Sequence, residues 1–234
     1  GDEKEGLGHK LLIRPDLTTL GSLGDAKADG AVLREVKDLE SIPEDLLEVI
    51  DLELEQKKIK VFLESTCPPP TLYLFGGGHV SLAIARIAST VGFRIVVVDD
   101  RPVFASPERF PMADETLVLE METAFEQIDV DDRSYVLAIT RGHQHDKPVV
   151  EQALRTDAAF IGMIGSRRKI ALMWKELEAK GIPRERLQVV HAPLGLDIGA
   201  DNPEEIAVSV VAELISNRRS RGKPAHEVRS MSAR

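Results

Sequence analysis

The chain has 234 residues, 43% of them hydrophobic and 29% charged, with a formal net charge of −9 at pH 7. That balance suits a water-soluble protein with a real core, and the acidic excess argues against bulk attraction to nucleic acid or an acidic membrane surface. No apolar run approaches the ~20 residues needed to cross a bilayer. A single cysteine, Cys67, excludes an intramolecular disulfide, and without a secretory signal at the start the expected compartment is the cytoplasm.

Residues 1–66 read as a small α+β segment. HKLLIRPDLTTLGSL predicts two short strands around a turn at Pro15-Asp16. In AVLREVKDLESI, Val32, Leu33, Val36 and Leu39 fall at helical spacing, and IKVFLES predicts a further strand. Large apolar residues are few, so the segment is not expected to fold alone. Residues 67–70, Cys67-Pro68-Pro69-Pro70, form a stiff polyproline-type connector and mark the domain boundary.

Residues 71–219 alternate between apolar runs and helical patterns. TLYLF, RIVVVD, ETLVL, SYVLAIT, AAFIGMI and LQVVHA predict strands. VSLAIARIASTVG, KPVVEQALRTD, RRKIALMWKELEAKG and PEEIAVSVVAELISNRR predict helices, the last capped by Asp201 or Asn202 with Pro203 in its first turn. Continuous apolar strands separated by helices mean a parallel sheet covered on both faces. The fold class is therefore α/β, a doubly wound, six-stranded Rossmann-like sheet in the order 3-2-1-4-5-6. Residues 220–234 read as a flexible tail.

Between the first strand and its helix stands Gly76-Gly77-Gly78-His79-Val80-Ser81, a G-x-G-x-x-small pattern. The first glycine permits the turn, the second lets a pyrophosphate approach the backbone, and the small third residue lets helix and strand pack. Asp99 ends the second strand about twenty residues on, where an acid grips ribose hydroxyls and favours NAD over NADP. Asp100 and Arg101 follow it, and Arg101 softens that preference. The competing reading is a Rossmann turn whose glycines serve packing alone.

The predicted crevice opens between strands 1 and 4. The loop after strand 4 is Thr140-Arg141-Gly142-His143-Gln144-His145-Asp146, so His79, His143 and His145 are expected to meet at its mouth. Their chemistry suits acid–base work, anion contacts or metal ligation. No helical H-x-x-x-H and no paired thiolates occur, so no metal site is assigned, and Asp146 reads as a helix cap. After strand 5, Gly165 and Ser166 open a helix whose first turn holds Arg167, Arg168 and Lys169. Cations there oppose the helix dipole, and an anionic ligand or a solvated basic turn would each explain them. After strand 6, Asp197 sits among apolar neighbours, where burial would demand a partner such as Arg167 or a histidine. Met173, Trp174 and Leu177 read as core.

Four blocks, FGGGHVSLAIARIASTVGFRIVVVDDRPVFASPERFP, AITRGHQHD, AFIGMIGSRRK and APLGLDIGADNPEEIAVSVVAELI, resemble the C-terminal domain of the XdhC/CoxI family, the xanthine dehydrogenase accessory proteins. HKLLIRPDLTTLGSLGDAKADGAVLREV is similar to the end of that family's first domain. Where the family pattern runs G-S-I-G-G-G-C-x-E, this chain has Gly21-Ser22-Leu23-Gly24-Asp25-Ala26-Lys27, so no thiol role carries over.

The resemblance implies a chaperone that binds a molybdopterin-type cofactor (the molybdenum cofactor or its cytidine dinucleotide form), assists its sulfuration, and helps insert it into a molybdenum hydroxylase such as xanthine dehydrogenase. The implied partners include a cysteine desulfurase or cofactor-biosynthesis protein, and the expected assembly is a homodimer without nucleic acid or membrane. The expected cofactor contacts are Gly76 to Val80, Asp99 to Arg101, Thr140 to His143, Gly165 to Arg167, and Asp197. The alternative is an NAD(P)-dependent oxidoreductase using His143 or His145 as acid–base. That chemistry needs a substrate pocket beside the nicotinamide, and the short N-terminal piece is poor material for one.

Overall fold

The computed structural model describes residues 8–38, 47–54 and 57–220. They belong to two compact units, one reaching Pro68 and the other spanning Pro69–Ser220. Leu39 and the tail after Ser220 lie outside the described residues.

In the first unit, β1 (Lys10–Ile13) and β2 (Thr19–Ser22) pair antiparallel. Asp16 makes their turn by accepting from the Thr18 amide at 2.9 Å and its hydroxyl at 2.6 Å, the local bonding that suits aspartate to turns. Helix α1 (Ala26–Asp38) begins six residues before the apolar spacing, because the Asp25 carboxylate accepts from Lys27 N at 2.8 Å at its start. Ala28, Val32 and Val36 form a buried stripe, the latter two packing with Leu52 and Val61.

Those last two residues come from a hairpin, β3 (Leu47–Leu54) with β4 (Lys57–Glu64). The sequence reading missed β3. LEVIDLEL is built from leucine and glutamate, good helix formers, and its partner strand decides its state. Asp51 faces Lys60, and Glu53 pairs with Lys58, opposite charges of the kind that support a sheet.

In the second unit the elements run β5 (Thr71–Phe75), α2 (His79–Thr90), β6 (Arg94–Asp99), β7 (Glu115–Val118), β8 (Ser134–Ala138), α3 (His143–Ala153), β9 (Phe160–Met163), α4 (Arg167–Ala179), the short α5 (Arg184–Leu187), β10 (Val190–His191) and α6 (Pro203–Ser220). All pairings are parallel, in the order β10-β9-β8-β5-β6-β7. Counted from β5, this is the expected 3-2-1-4-5-6.

Side chains alternate across this sheet as strand geometry requires. Leu72, Leu74, Ile95, Val97 and Leu137 face a layer holding residues of α2 and α6, while Tyr73, Phe75, Val96, Val136 and Met163 face residues of α3 and α4. Each fully buried aliphatic side chain here contributes about 1.5–3 kcal/mol. Helix α6 is capped as read: Asn202 Oδ1 accepts from Glu205 N, and Glu205 accepts from Asp201 N, both at 2.9 Å.

Two features bear on the site. Helix α3 starts at His143 rather than near Lys147 and contains Pro148. The β6–β7 connection holds no helix. It is a loop of turns over residues 100–114 that folds back on the glycines.

Candidate functional site

The carboxyl ends of β5, β6, β8, β9 and β10 all open on one edge of the sheet. Gly76 leaves β5 with φ +103°, a conformation that only glycine adopts without strain. A Cβ there would overlap the Ile139 carbonyl, with Thr140 Cα only 2.8 Å away. Ser81 is fully buried, donates to the Gly76 carbonyl and packs α2 against the strand, as the motif predicts.

Gly77 departs from the dinucleotide pattern. The space beside it, which would admit a pyrophosphate, is taken by Phe104: a Cβ on Gly77 would overlap the Phe104 carbonyl and lie 3.1 Å from its Cβ. Arg109 Nε donates to the Gly77 carbonyl at 2.8 Å, while Arg109 Nη2 is buried without an acceptor among the described residues. Gly78 differs again, with nothing within 4 Å of its would-be Cβ.

Asp99 is 1% exposed. Its Oδ1 accepts from Arg101 N at 3.0 Å and Arg101 Nε at 2.9 Å; its Oδ2 accepts from Gly77 N at 2.8 Å and Arg101 Nη2 at 3.0 Å. A carboxylate has about four acceptor positions, and these four donors use them. The Arg101 guanidinium also lies 3.6 Å over the Phe104 ring. Asp99, Arg101, Phe104 and Gly77 thus form a closed latch.

Burial works to raise the Asp99 carboxyl, but the Arg101 fork and the Gly77 amide outweigh it and hold it below the ordinary 3.8. A depressed folded value means stability that is present above 3.8 and lost as pH falls through the folded value. Urea unfolding at about pH 7 and about pH 3 should therefore show a larger acid loss for the wild type than for Asp99→Asn. Equal losses would mean that the latch contributes nothing.

Above β5, Arg141 Nη2 reaches Asp100 Oδ2 at 2.7 Å and its Nε donates to His145 Nε2 at 3.2 Å. Since Asp100 follows β6 and Arg141 belongs to the loop after β8, this ion pair bridges the crevice between the strands that flank β5. His79, the first residue of α2, is exposed. His143 opens α3, and its side chain lies outside the described residues, as does the expected meeting of three histidines. Among the described residues no cluster of three His, Cys, Asp or Glu could hold a metal ion.

Arg141 of that bridge also borders an opening in the surface. A cavity of about 550 Å³ opens at the ends of β8 and β9, within the roughly 300–1,000 Å³ typical of ligand sites. Its polar wall is Thr140, Arg141, Gly142, Asp146, Ser166 and Lys169; Met163, Met173, Leu194 and Ile206 supply an apolar wall. Asp146 is 6% exposed, and its Oδ1 accepts from Thr140 N at 2.9 Å and Thr140 Oγ1 at 2.6 Å. It ties its helix to the preceding loop. Burial raises the Asp146 carboxyl, only partly offset by Thr140 and by the charge of Lys169.

Ser166 caps α4 by accepting from Lys169 N at 3.3 Å. Arg167, Arg168 and Lys169 are exposed and make no ion pair among the described residues. Cations in the first turn oppose the helix dipole, an effect that a bound anion would offset.

The cavity therefore brings together Thr140, Arg141, Gly142, Gly165 and Ser166 from the sequence reading, and adds Asp146 and Lys169 to it. Gly76 to Val80, Asp99 to Arg101, Arg167 and Asp197 do not line it. Asp197 needs a correction: it is exposed, in a loop where Leu196 and Ile198 are 46% and 55% exposed. No desolvation arises there, so no partner is demanded.

Fold and site together define a Rossmann-like domain whose open cavity sits beside, rather than across, the glycine turn. The family model for the XdhC Rossmann domain matches residues 72–214, and the chain belongs to that family. It is 30% identical over 236 aligned residues to "Uncharacterized protein YqeB" of Escherichia coli, covering 93% of this chain and 42% of that protein. It is 26% identical to "Molybdenum cofactor insertion chaperone PaoD" of Escherichia coli, covering 64% of this chain and 41% of that one. A solved structure of a xanthine dehydrogenase from Bacillus halodurans superposes with a TM-score of 0.60 at 30% identity, covering 70% of this chain and 46% of that chain. The chain thus spans less than half the length of the curated relatives it matches. Among the described residues no helix is long and apolar enough to cross a membrane.

Proposed function

We propose that this chain is the Rossmann-bearing part of an accessory protein that binds a molybdopterin-type cofactor and helps deliver it to a molybdenum hydroxylase of the xanthine dehydrogenase kind. The observation that carries the reading is the cavity: its size, its cationic rim and its buried acid suit an anionic heterocycle. Lys169, Ser166 and the first amides of α4 would hold a phosphate. Asp146 and Thr140 would meet the polar edge of the ring system, and Ile206 its apolar side. Bound there, the cofactor would bring the molybdenum and sulfur chemistry that the receiving hydroxylase uses. The chain's own residues would bind, orient and shield it.

Family membership supports this reading, as does the similarity to a molybdenum cofactor insertion chaperone. An NAD(P)-dependent oxidoreductase is disfavoured, because the acid that would grip the nicotinamide nucleotide's ribose has its acceptor positions filled by the protein. The test is transfer. Cofactor-loaded protein mixed with cofactor-free xanthine dehydrogenase should restore hydroxylase activity while losing its own molybdenum. Loaded protein that keeps its molybdenum and restores no activity would refute delivery.

A further inference from the structure

We infer that this Rossmann domain excludes dinucleotides and takes a bicyclic heterocycle bearing a single phosphate, held wholly in the cavity at the ends of β8 and β9. The inference rests on the cofactor-binding reading above and narrows it to one class of ligand.

Three observations carry it. A dinucleotide lies across the switch point, its pyrophosphate against the second glycine and one ribose on the acid that ends the second strand. Here the second glycine's free side is filled by the Phe104 backbone, and Arg109 Nε fastens the same loop to the Gly77 carbonyl at 2.8 Å. The acid is saturated: Arg101 donates to Asp99 from its backbone and through both arms of its side chain, and Gly77 N–H, which would otherwise face a phosphate, donates there as well.

The third observation is the bridge. The 2.7 Å ion pair from Arg141 to Asp100 joins the loops on either side of β5, so an extended ligand would have to break it. A ligand confined to the cavity need not. It would find Lys169 and the Ser166 turn at one wall and the buried Asp146 and Thr140 at another. The three glycines therefore serve different ends: Gly76 the turn, Gly77 the approach of the chain's own loop, and Gly78 the start of α2.

Calorimetric titration with GMP, a bicyclic monophosphate, and with ADP-ribose tests this. The wild type should bind GMP at least about tenfold more tightly than ADP-ribose. Arg101→Ala/Arg109→Ala, which frees Asp99 and unties the Phe104 loop from the Gly77 carbonyl, should tighten ADP-ribose by about tenfold or more and leave GMP within about twofold. Because that variant removes a partner from a buried acid, hydrogen exchange on the wild type gives an independent reading. GMP should protect amides of residues 140–146 and 163–169 but not 76–80.

Wild-type binding of ADP-ribose as tight as GMP, protection at 76–80, or no binding of GMP would each overturn the inference. The delivery reading can fail separately. If transfer fails while the preference for GMP stands, delivery is wrong and the inference holds. If the cytidine dinucleotide form of the cofactor binds wild type and is transferred, delivery holds and the inference is wrong.

Discussion

Gly76→Ala is expected to cost about 2–6 kcal/mol of stability. Two terms combine. At φ +103° any residue with a Cβ is strained, typically by about 1–3 kcal/mol. The new methyl would also press on the Ile139 carbonyl and on Thr140 Cα. These are backbone atoms at the end of a central strand and cannot swing aside as a side chain would, so about 1–3 kcal/mol more follows. Against a total stability of about 5–15 kcal/mol, thermal unfolding should move down by roughly 10 °C or more. Gly78→Ala, with open space beside it, should cost about 1 kcal/mol or less. Thermal melts of the two variants check this, and equal melting temperatures would contradict it.

The second large effect is on binding. Lys169 is the cation of the first turn of α4 that lines the cavity, whereas Arg167 and Arg168 do not. A charge-assisted hydrogen bond is worth about 1.5–3 kcal/mol, and a reversed charge adds repulsion to that loss. Lys169→Glu should therefore weaken binding of a pterin monophosphate by about 30-fold or more. Arg168→Glu should change it by less than about fivefold, through screened charge alone. Titration of both variants decides whether the phosphate lies inside the cavity or on the general basic surface of the turn. Equal losses would favour the surface.

Much of the fold was legible because buried parallel strands read as unbroken apolar runs. TLYLF and RIVVVD can be little else, and helix signals between them give the winding. The hairpin strand LEVIDLEL was not legible, since its state depends on charges arriving from β4. The start of α3 was hidden for a different reason: His143-Gln144-His145 carries no apolar stripe, and Pro148 reads as a breaker.

The site was legible in its loops but not in its geometry. Sequence placed Thr140 to Gly142 and Gly165 to Ser166 at one edge, and they do line one cavity. It read Asp146 as a cap, because nothing local says that the side chain turns back to Thr140 and is buried. Met163 and Ile206 read only as parts of a strand and a helix, and Leu194 as part of a loop. The latch was invisible for a plainer reason. Phe104 and Arg109 sit in a loop without periodicity, and G-x-G reads the same whether a pyrophosphate or a backbone carbonyl fills the space it leaves.

The central claim is that the cavity holds a molybdenum-bearing pterin. Mass spectrometry of small molecules released from the protein, purified from a molybdate-fed host, tests it most directly, with Lys169→Glu purified in parallel. The account predicts a molybdopterin species from the wild type and its loss from the variant. Release of NAD or NADP instead, or the same pterin load in both proteins, would contradict it.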